Sequence, residues 1–190
     1  MHDQFFHVRV IIGVVAGLTM TRLLNGLARF VQHPLRVPIY PVHLGWVVYL
    51  LISVMLFWWF EYNLALVERW TFQKYLFVVG YASLYFFTST LLFPDTMDDY
   101  DGFADYFHSR QAWFYGLLAA TFLVDLLDSA LKGPAHFSSL GPAYLWRQSL
   151  LAVLALVAMR VRDRRLHAGF LILALLMQLW VIARYFDVLD

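Results

Sequence analysis

Arg22, Asn25, Asp125 and Asp128 are polar or charged side chains set inside runs of apolar residues. A full charge near the middle of a membrane span costs about 3 kcal/mol or more. Such residues are therefore retained where they meet a partner or line a path for ions. Arg22 lies in GVVAGLTMTRLLNGLAR (13–29) and Asp125 in GLLAATFLVDLLDSALK (116–132). Laid residue on residue, the two stretches match Gly13 with Gly116, Ala16 with Ala119, Leu23 and Leu24 with Leu126 and Leu127, and Arg29 with Lys132. Arg22 then falls opposite Asp125, and Asn25 opposite Asp128. These positions sit at i, i+3 and i+7, one face of a helix. Side chains lean toward the N-terminus of their own helix, so on antiparallel helices Arg22 and Asp125 lean toward each other. The expectation is an ion pair between them, direct or through one water, which Asn25 and Asp128 extend into a buried polar stripe. Its chemistry is that of an ion or proton path. The alternative is a structural pair that fixes helix register. Asp128 also precedes Lys132 by four residues, acid first, the spacing of a local helical pair.

Other residue patterns carry less chemistry. Glu61 follows Trp58, Trp59 and Phe60 and reads as a solvated carboxylate in an interfacial aromatic belt. Arg147 and Arg184 are placed to snorkel to an interface. Gln178 and the hydroxyls of Ser83, Thr88, Ser89 and Thr90 can bond to neighbouring helices or to their own backbone. Residues 95–110 hold five aspartates. Met97 and His108 occupy the first and last ligand positions of a would-be calcium loop, so this is no EF-hand. Alternation with Tyr100, Phe103, Tyr106 and Phe107 predicts instead a short amphipathic helix lying on the membrane surface, or a cap over a cytoplasmic vestibule. The seven histidines show no metal spacing, and His33, His43, His136 and His167 fall near helix ends, where water would satisfy them. No serine–histidine–aspartate order, phosphate loop or dinucleotide fingerprint occurs. No cofactor or metal is expected, and catalysis is not the favoured reading.

The elements that must position these residues follow from composition. Of 190 residues, 62% are hydrophobic and 14% charged, against roughly 25% charge in a soluble domain. Mean hydropathy is +0.64. The chain is therefore read as an all-α polytopic membrane protein, in the plasma or inner membrane, with the lipid bilayer as its main partner. A net charge of +1 gives no reason to invoke nucleic acid. The lack of cysteine excludes disulfides and thiolate metal sites. Six runs have the length of a span: residues 8–31, 43–66, 75–93, 112–131, 143–159 and 167–188. Prolines 34, 38, 41, 94, 134 and 142 separate them.

No stretch remains for a soluble domain, so residues 1–190 form one transmembrane domain. Units 8–93 and 112–188, joined by the acidic loop 95–110, suggest a 3+3 inverted repeat of the kind that recurs in transporters. Small residues at Gly13, Gly17, Gly116 and Ala120 predict that the two leading helices cross there; a homodimer face at Gly13 and Gly17 is the alternative. The arginines at 160, 162, 164 and 165 place that loop in the cytoplasm and both termini on the other side. The functional expectation is a channel or transporter for a small ion or solute, working as a homo-oligomer or beside a membrane partner protein. The alternative is a non-catalytic assembly or sensor subunit.

Overall fold

Proline and short polar caps set where the helices begin. Pro41, Pro134 and Pro142 stand in first turns, where a missing N–H costs nothing. The Thr71 hydroxyl accepts from the Lys74 amide and opens another helix. The computed structural model describes residues 2–32, 38–67 and 69–185. It contains α1 (His2–Gln32), α2 (Pro41–Phe60), a 3-10 turn (Glu61–Leu66), α3 (Phe72–Thr90), α4 (Phe103–Leu131), α5 (Pro134–Ser139), α6 (Gly141–Ala158) and α7 (Arg164–Tyr185). His33, Arg36, Glu68 and the last residues of the sixth expected span, 186–188, lie outside the described residues.

Among the described residues, five helices are long and apolar enough to cross a bilayer: Phe5–Gln32, Pro41–Leu66, Phe103–Leu131, Gly141–Ala158 and Arg164–Arg184. Their outward faces carry Val14, Leu18, Leu123, Leu127, Val153, Leu156, Leu176 and Leu179. A continuous apolar exterior of this kind is suited to lipid. α3 has 19 residues but is enriched in hydroxyl groups. Ser83 and Thr88 donate to the carbonyls of Val79 and Leu84 at 2.8 and 2.7 Å, and Ser89 and Thr90 to those of Phe86 and Phe87 at 2.7 Å. Such back-bonding lets a hydroxyl sit in an apolar helix without an external partner.

Successive long helices run in opposite directions, so the bundle has two ends. At one, which holds the chain start, the close of α2 meets the close of α4 and the opening of α6. At the other, the close of α1 and the openings of α2, α4 and α7 gather around residues 91–102. This loop end is knotted by aromatic and polar groups. His43 is buried, stacks on Phe103 with centroids 4.8 Å apart, and donates from Nε2 to the Leu92 carbonyl at 2.5 Å. The Trp46 indole donates to Tyr115 Oη at 3.1 Å, which meets His167 Nδ1 at 2.8 Å. The Gln111 amide donates to the carbonyls of Ala158 and Val161 at 2.7 and 2.8 Å.

Three expectations are corrected here. The acidic segment does not form a separate surface helix: from Phe103 it is already α4, because Phe103, Tyr106 and Phe107 share a face that turns into the core. His43 and His167 are not left to water but are buried. The leading helices do not cross at their small residues. A Cβ on Gly13 would lie 2.8 Å from the Trp58 ring of α2, one on Gly116 3.4 Å from Met159, and Gly17 has open space around it. Ala120 is half-buried on α4.

Close approach is used elsewhere. A Cβ on Gly26 would clash with the Phe93 ring, and one on Gly45 with Leu171 of α7. Both glycines admit a neighbouring side chain against helical backbone. Gly26→Leu or Gly45→Leu is expected to destabilise the detergent-solubilised protein by about 1–3 kcal/mol through overpacking. Gly17→Leu should leave the unfolding midpoint unchanged. Thermal unfolding of the three variants checks this, and a loss confined to Gly17→Leu would contradict the packing described.

Candidate functional site

Four helices present polar residues one turn apart on a single face. α4 supplies Asp125, Asp128, Ser129 and Lys132; α6 supplies Tyr144, Arg147 and Gln148; α3 supplies Tyr81 and Tyr85; α2 supplies Tyr49 and Ser53. Spacings of three and four residues align side chains on a helix. At the close of α2 the backbone tightens into the 3-10 turn, with Asn63 Nδ2 donating to the Phe60 carbonyl at 3.2 Å. The turn directs Glu61 inward, where only 4% of it is exposed. These faces meet at the end that holds the chain start and line a partly open cavity of about 120 Å³, to which Gln178 and Trp180 of α7 also contribute. A space of this size accommodates a few water molecules.

The ammonium of Lys132 lies between two carboxyls, 2.9 Å from Glu61 Oε1 and 2.5 Å from Asp128 Oδ2. All three side chains are almost wholly buried, at 4%, 4% and 2% exposure for Lys132, Glu61 and Asp128. Asp128 and Lys132 thus form the local pair their spacing implies, but the pair is buried and has a second acid from another helix.

Asp125 is held differently. Tyr81 Oη donates to Oδ1 at 2.7 Å, Tyr144 Oη donates to Oδ2 at 2.6 Å, and the Gln148 amide also donates to Oδ2. Ser129 Oγ lies 2.8 Å from Tyr144 Oη and Tyr85 Oη 3.4 Å from Tyr81 Oη. With both tyrosine protons committed to Asp125, Ser129 and Tyr85 act as the outer donors. Three neutral donors stand in for the part of its hydration shell that the half-buried Asp125 loses. His136, on α5 at the rim, has its pKa lowered by burial and then by the Lys132 charge, so it is neutral near pH 7.

Several buried atoms of the site lack partners: Glu61 Oε2, Asp128 Oδ1, Gln148 Oε1, Gln178 Oε1 and Arg147 Nε. Four of these five are acceptors. The Arg147 guanidinium lies 6.0 Å from the Tyr144 ring centroid and lines the cavity. It therefore belongs to the site rather than to the interface. Arg184 lies over the Trp180 ring at 5.2 Å.

The expected Arg22–Asp125 pair is not formed. Arg22 Nη2 donates to the Phe93 carbonyl at 2.8 Å and reaches Asp95 Oδ1 at 3.2 Å, both in the loop after α3. Gly26, one turn on, receives the Phe93 ring, so α1 grips the 93–95 turn by two successive positions of one face. Asn25 is exposed and takes no part in a buried stripe. Asp125 lines the cavity and Asp128 lies one helical turn on, paired with Lys132, while Arg22 sits toward the loop end. The physical reason is that α1 packs along α3, whereas α4 packs along α6. Glu61 is the second correction: it is buried against Lys132, not solvated.

The unforeseen members are Tyr81, Tyr144 and Gln148, together with Glu61 as the second acid on Lys132. A signal for two of them stood in the sequence, since Tyr144, Arg147 and Gln148 repeat the one-turn spacing of Asp125, Asp128 and Lys132. Compared with protein-family models, curated proteins and solved structures, the chain matches none.

Two outcomes follow. Lys132→Met strands two buried carboxyls and should cost about 3–5 kcal/mol of stability. The triple variant Lys132→Met, Glu61→Gln, Asp128→Asn should recover most of that loss in the same unfolding assay. The charge swap Arg22→Asp with Asp125→Arg should not restore stability relative to either single change, because the two residues lie in separate networks. Recovery in the swap would show that they touch.

Proposed function

We propose that the protein is an integral membrane channel or transporter for a small ion or solute, and that the carboxyl-lined cavity is its site. The carrying observation is a cavity inside an apolar bundle whose wall holds Glu61, Asp125, Lys132 and Arg147. Ionisable groups at such depth are expensive and are kept where they serve a path or a ligand. The wall is built from α2, α3, α4, α6 and α7, so relative motion of these helices opens or closes it. A cavity of about 120 Å³ is no open pore, which favours a carrier over a wide channel and leaves room for a homo-oligomeric assembly.

The proposed topology has six spans, α3 being the sixth, with both termini on the non-cytoplasmic side and the arginines of residues 160–165 in the cytoplasm. Mirrored halves are no part of it, since α1 packs along α3 in the first half and α4 along α6 in the second.

A second reading, a non-catalytic assembly or sensor subunit, is favoured by one observation: Lys132 is bonded on both sides within the chain and needs no ligand. Flux separates the two. The protein in liposomes is tested with a pH-sensitive dye and by osmotic swelling in small solutes. Wild type should pass at least one of them above the rate of empty vesicles, and Asp125→Asn and Glu61→Gln should lower that rate roughly tenfold or more, each removing a charged hydrogen bond. Absence of flux for every solute, with both variants merely less stable, selects the second reading.

A further inference from the structure

We propose that the Glu61–Asp128 pair holds one exchangeable proton beside Lys132, and that the ion moved through this site is a proton; this rests on reading the cavity as a transport site. The two acids come from separate elements, Glu61 from the 3-10 turn after α2 and Asp128 from α4. Both bond the one ammonium, at 2.9 and 2.5 Å, and their carboxyls lie within hydrogen-bond reach of each other. All three groups are almost wholly buried. Two ionised acids on one ammonium would leave a net negative charge out of water, which is costly. A shared proton is the ordinary relief, because two carboxyls that meet do not readily both ionise.

The neighbouring groups supply no other counter-charge. They are Tyr49 on α2, Tyr81 and Tyr85 on α3, Asp125 on α4, His136 on α5, and Tyr144 and Arg147 on α6. The tyrosines are uncharged near pH 7, and so is His136. Gln178 and Trp180, from α7, carry no charge. Arg9 of α1 lies instead over the rings of Trp58 and Tyr62. Among the described residues Arg147 forms no ion pair with either acid, and in the count it balances Asp125. One proton on the pair then brings the site to neutrality. Glu61 is the acid placed to exchange it. Asp128 is committed to Lys132 one turn on in its own helix, whereas Glu61 lines the cavity. A space of about 120 Å³ takes a few waters, and a proton needs no more room than that. On release the Glu61 O–H bond breaks, the proton passes to a water, and the carboxylate left behind stays on Lys132. Uptake is the reverse. A metal ion would need the position between the acids that the ammonium fills.

The test uses the full chain, in detergent and then in liposomes. Infrared spectra at pH 7, in H2O and in D2O, read the carbonyl band of an un-ionised carboxyl, which a carboxyl free in water does not show at this pH. Wild type is expected to show the band and to shift it in D2O as the proton exchanges. Glu61→Gln should abolish it. Asp128→Asn should abolish it too, because one ammonium then faces one acid, which ionises; a proton held by burial alone would outlast that change. Either variant suffices if the other fails to fold, and if neither folds the wild-type band and its flux decide. In liposomes, wild type should collapse a pH gradient faster than empty vesicles, and Glu61→Gln should lose the excess. The proposal is overturned by an absent band, by a band that survives Glu61→Gln, or by a wild type that passes no protons. Flux of another solute without proton flux removes this inference and leaves the transport reading; no flux of any kind removes both.

Discussion

An ammonium group taken out of water must be met by opposite charge at hydrogen-bond distance, because the cost of isolating it exceeds what any apolar packing returns. Lys132 sits at the close of α4 with almost no exposure. Its solution is to draw in Asp128 from the preceding turn of its own helix and Glu61 from the turn after α2. The first contact is local and would form in an isolated helix. The second is not, and it fixes the close of α2 against the close of α4. In lipid this kind of constraint has particular weight. Apolar side chains gain little by facing one another rather than the acyl chains, so hydrogen bonds and close fits decide which helices meet. Asp125 extends the same logic one face-turn deeper, where its three donors come from α3 and α6. One end of the bundle is thereby tied through two carboxyl networks that share α4.

The opposite end is held by different means. There the polar groups meet backbone carbonyls more often than charges: Arg22 with Phe93, His43 with Leu92, and Gln111 with Ala158 and Val161. These carbonyls lie in or beside chain turns, where no helical N–H satisfies them. Long polar side chains reaching from α1, α2 and α4 supply the missing donors and fix the turns to the bundle. The glycine at 26 makes the arrangement feasible by admitting the Phe93 ring against α1. Arg22 is thus a staple for a loop, and its charge is met by Asp95 near solvent rather than by an acid at depth.

How far the sequence carries this follows from the range of each interaction. Helix existence and approximate bounds depend on local apolar length and on proline, both visible in the chain. The Asp128–Lys132 pair depends on a spacing of four and was likewise legible. Arg22 with Asp125 depended on an inferred symmetry between two stretches. The alignment was chemically sensible, but which helices neighbour each other is decided by fits such as Phe93 into Gly26 and Leu171 into Gly45, and these join residues far apart in the chain. Glu61 was misplaced for a related reason. Its position at the end of an aromatic run is what an interfacial carboxylate would show, and only the 3-10 turn that follows α2 rotates it inward. The acidic loop shows the same ambiguity from the other side: its aromatics are amphipathic at helical spacing, and that spacing alone does not say whether they face lipid or protein.

The two carboxyl networks differ in how complete they are. Asp125 has three dedicated donors and leaves none of its oxygens bare. Such a carboxylate is held in place from two helices, because moving it would leave the tyrosine hydroxyls without their acceptor. Glu61 and Asp128 share one ammonium and keep one free oxygen each. Neither is saturated by the fold, and the amide oxygens of Gln148 and Gln178 are equally unfilled. A buried acceptor without a donor carries a desolvation cost. The site is therefore two networks side by side, Asp125 with its tyrosines and Gln148, and Lys132 with its two acids. A wall of this kind ties α2, α3, α4 and α6 together through hydrogen bonds to charge, which in lipid hold helices where apolar contact alone would not.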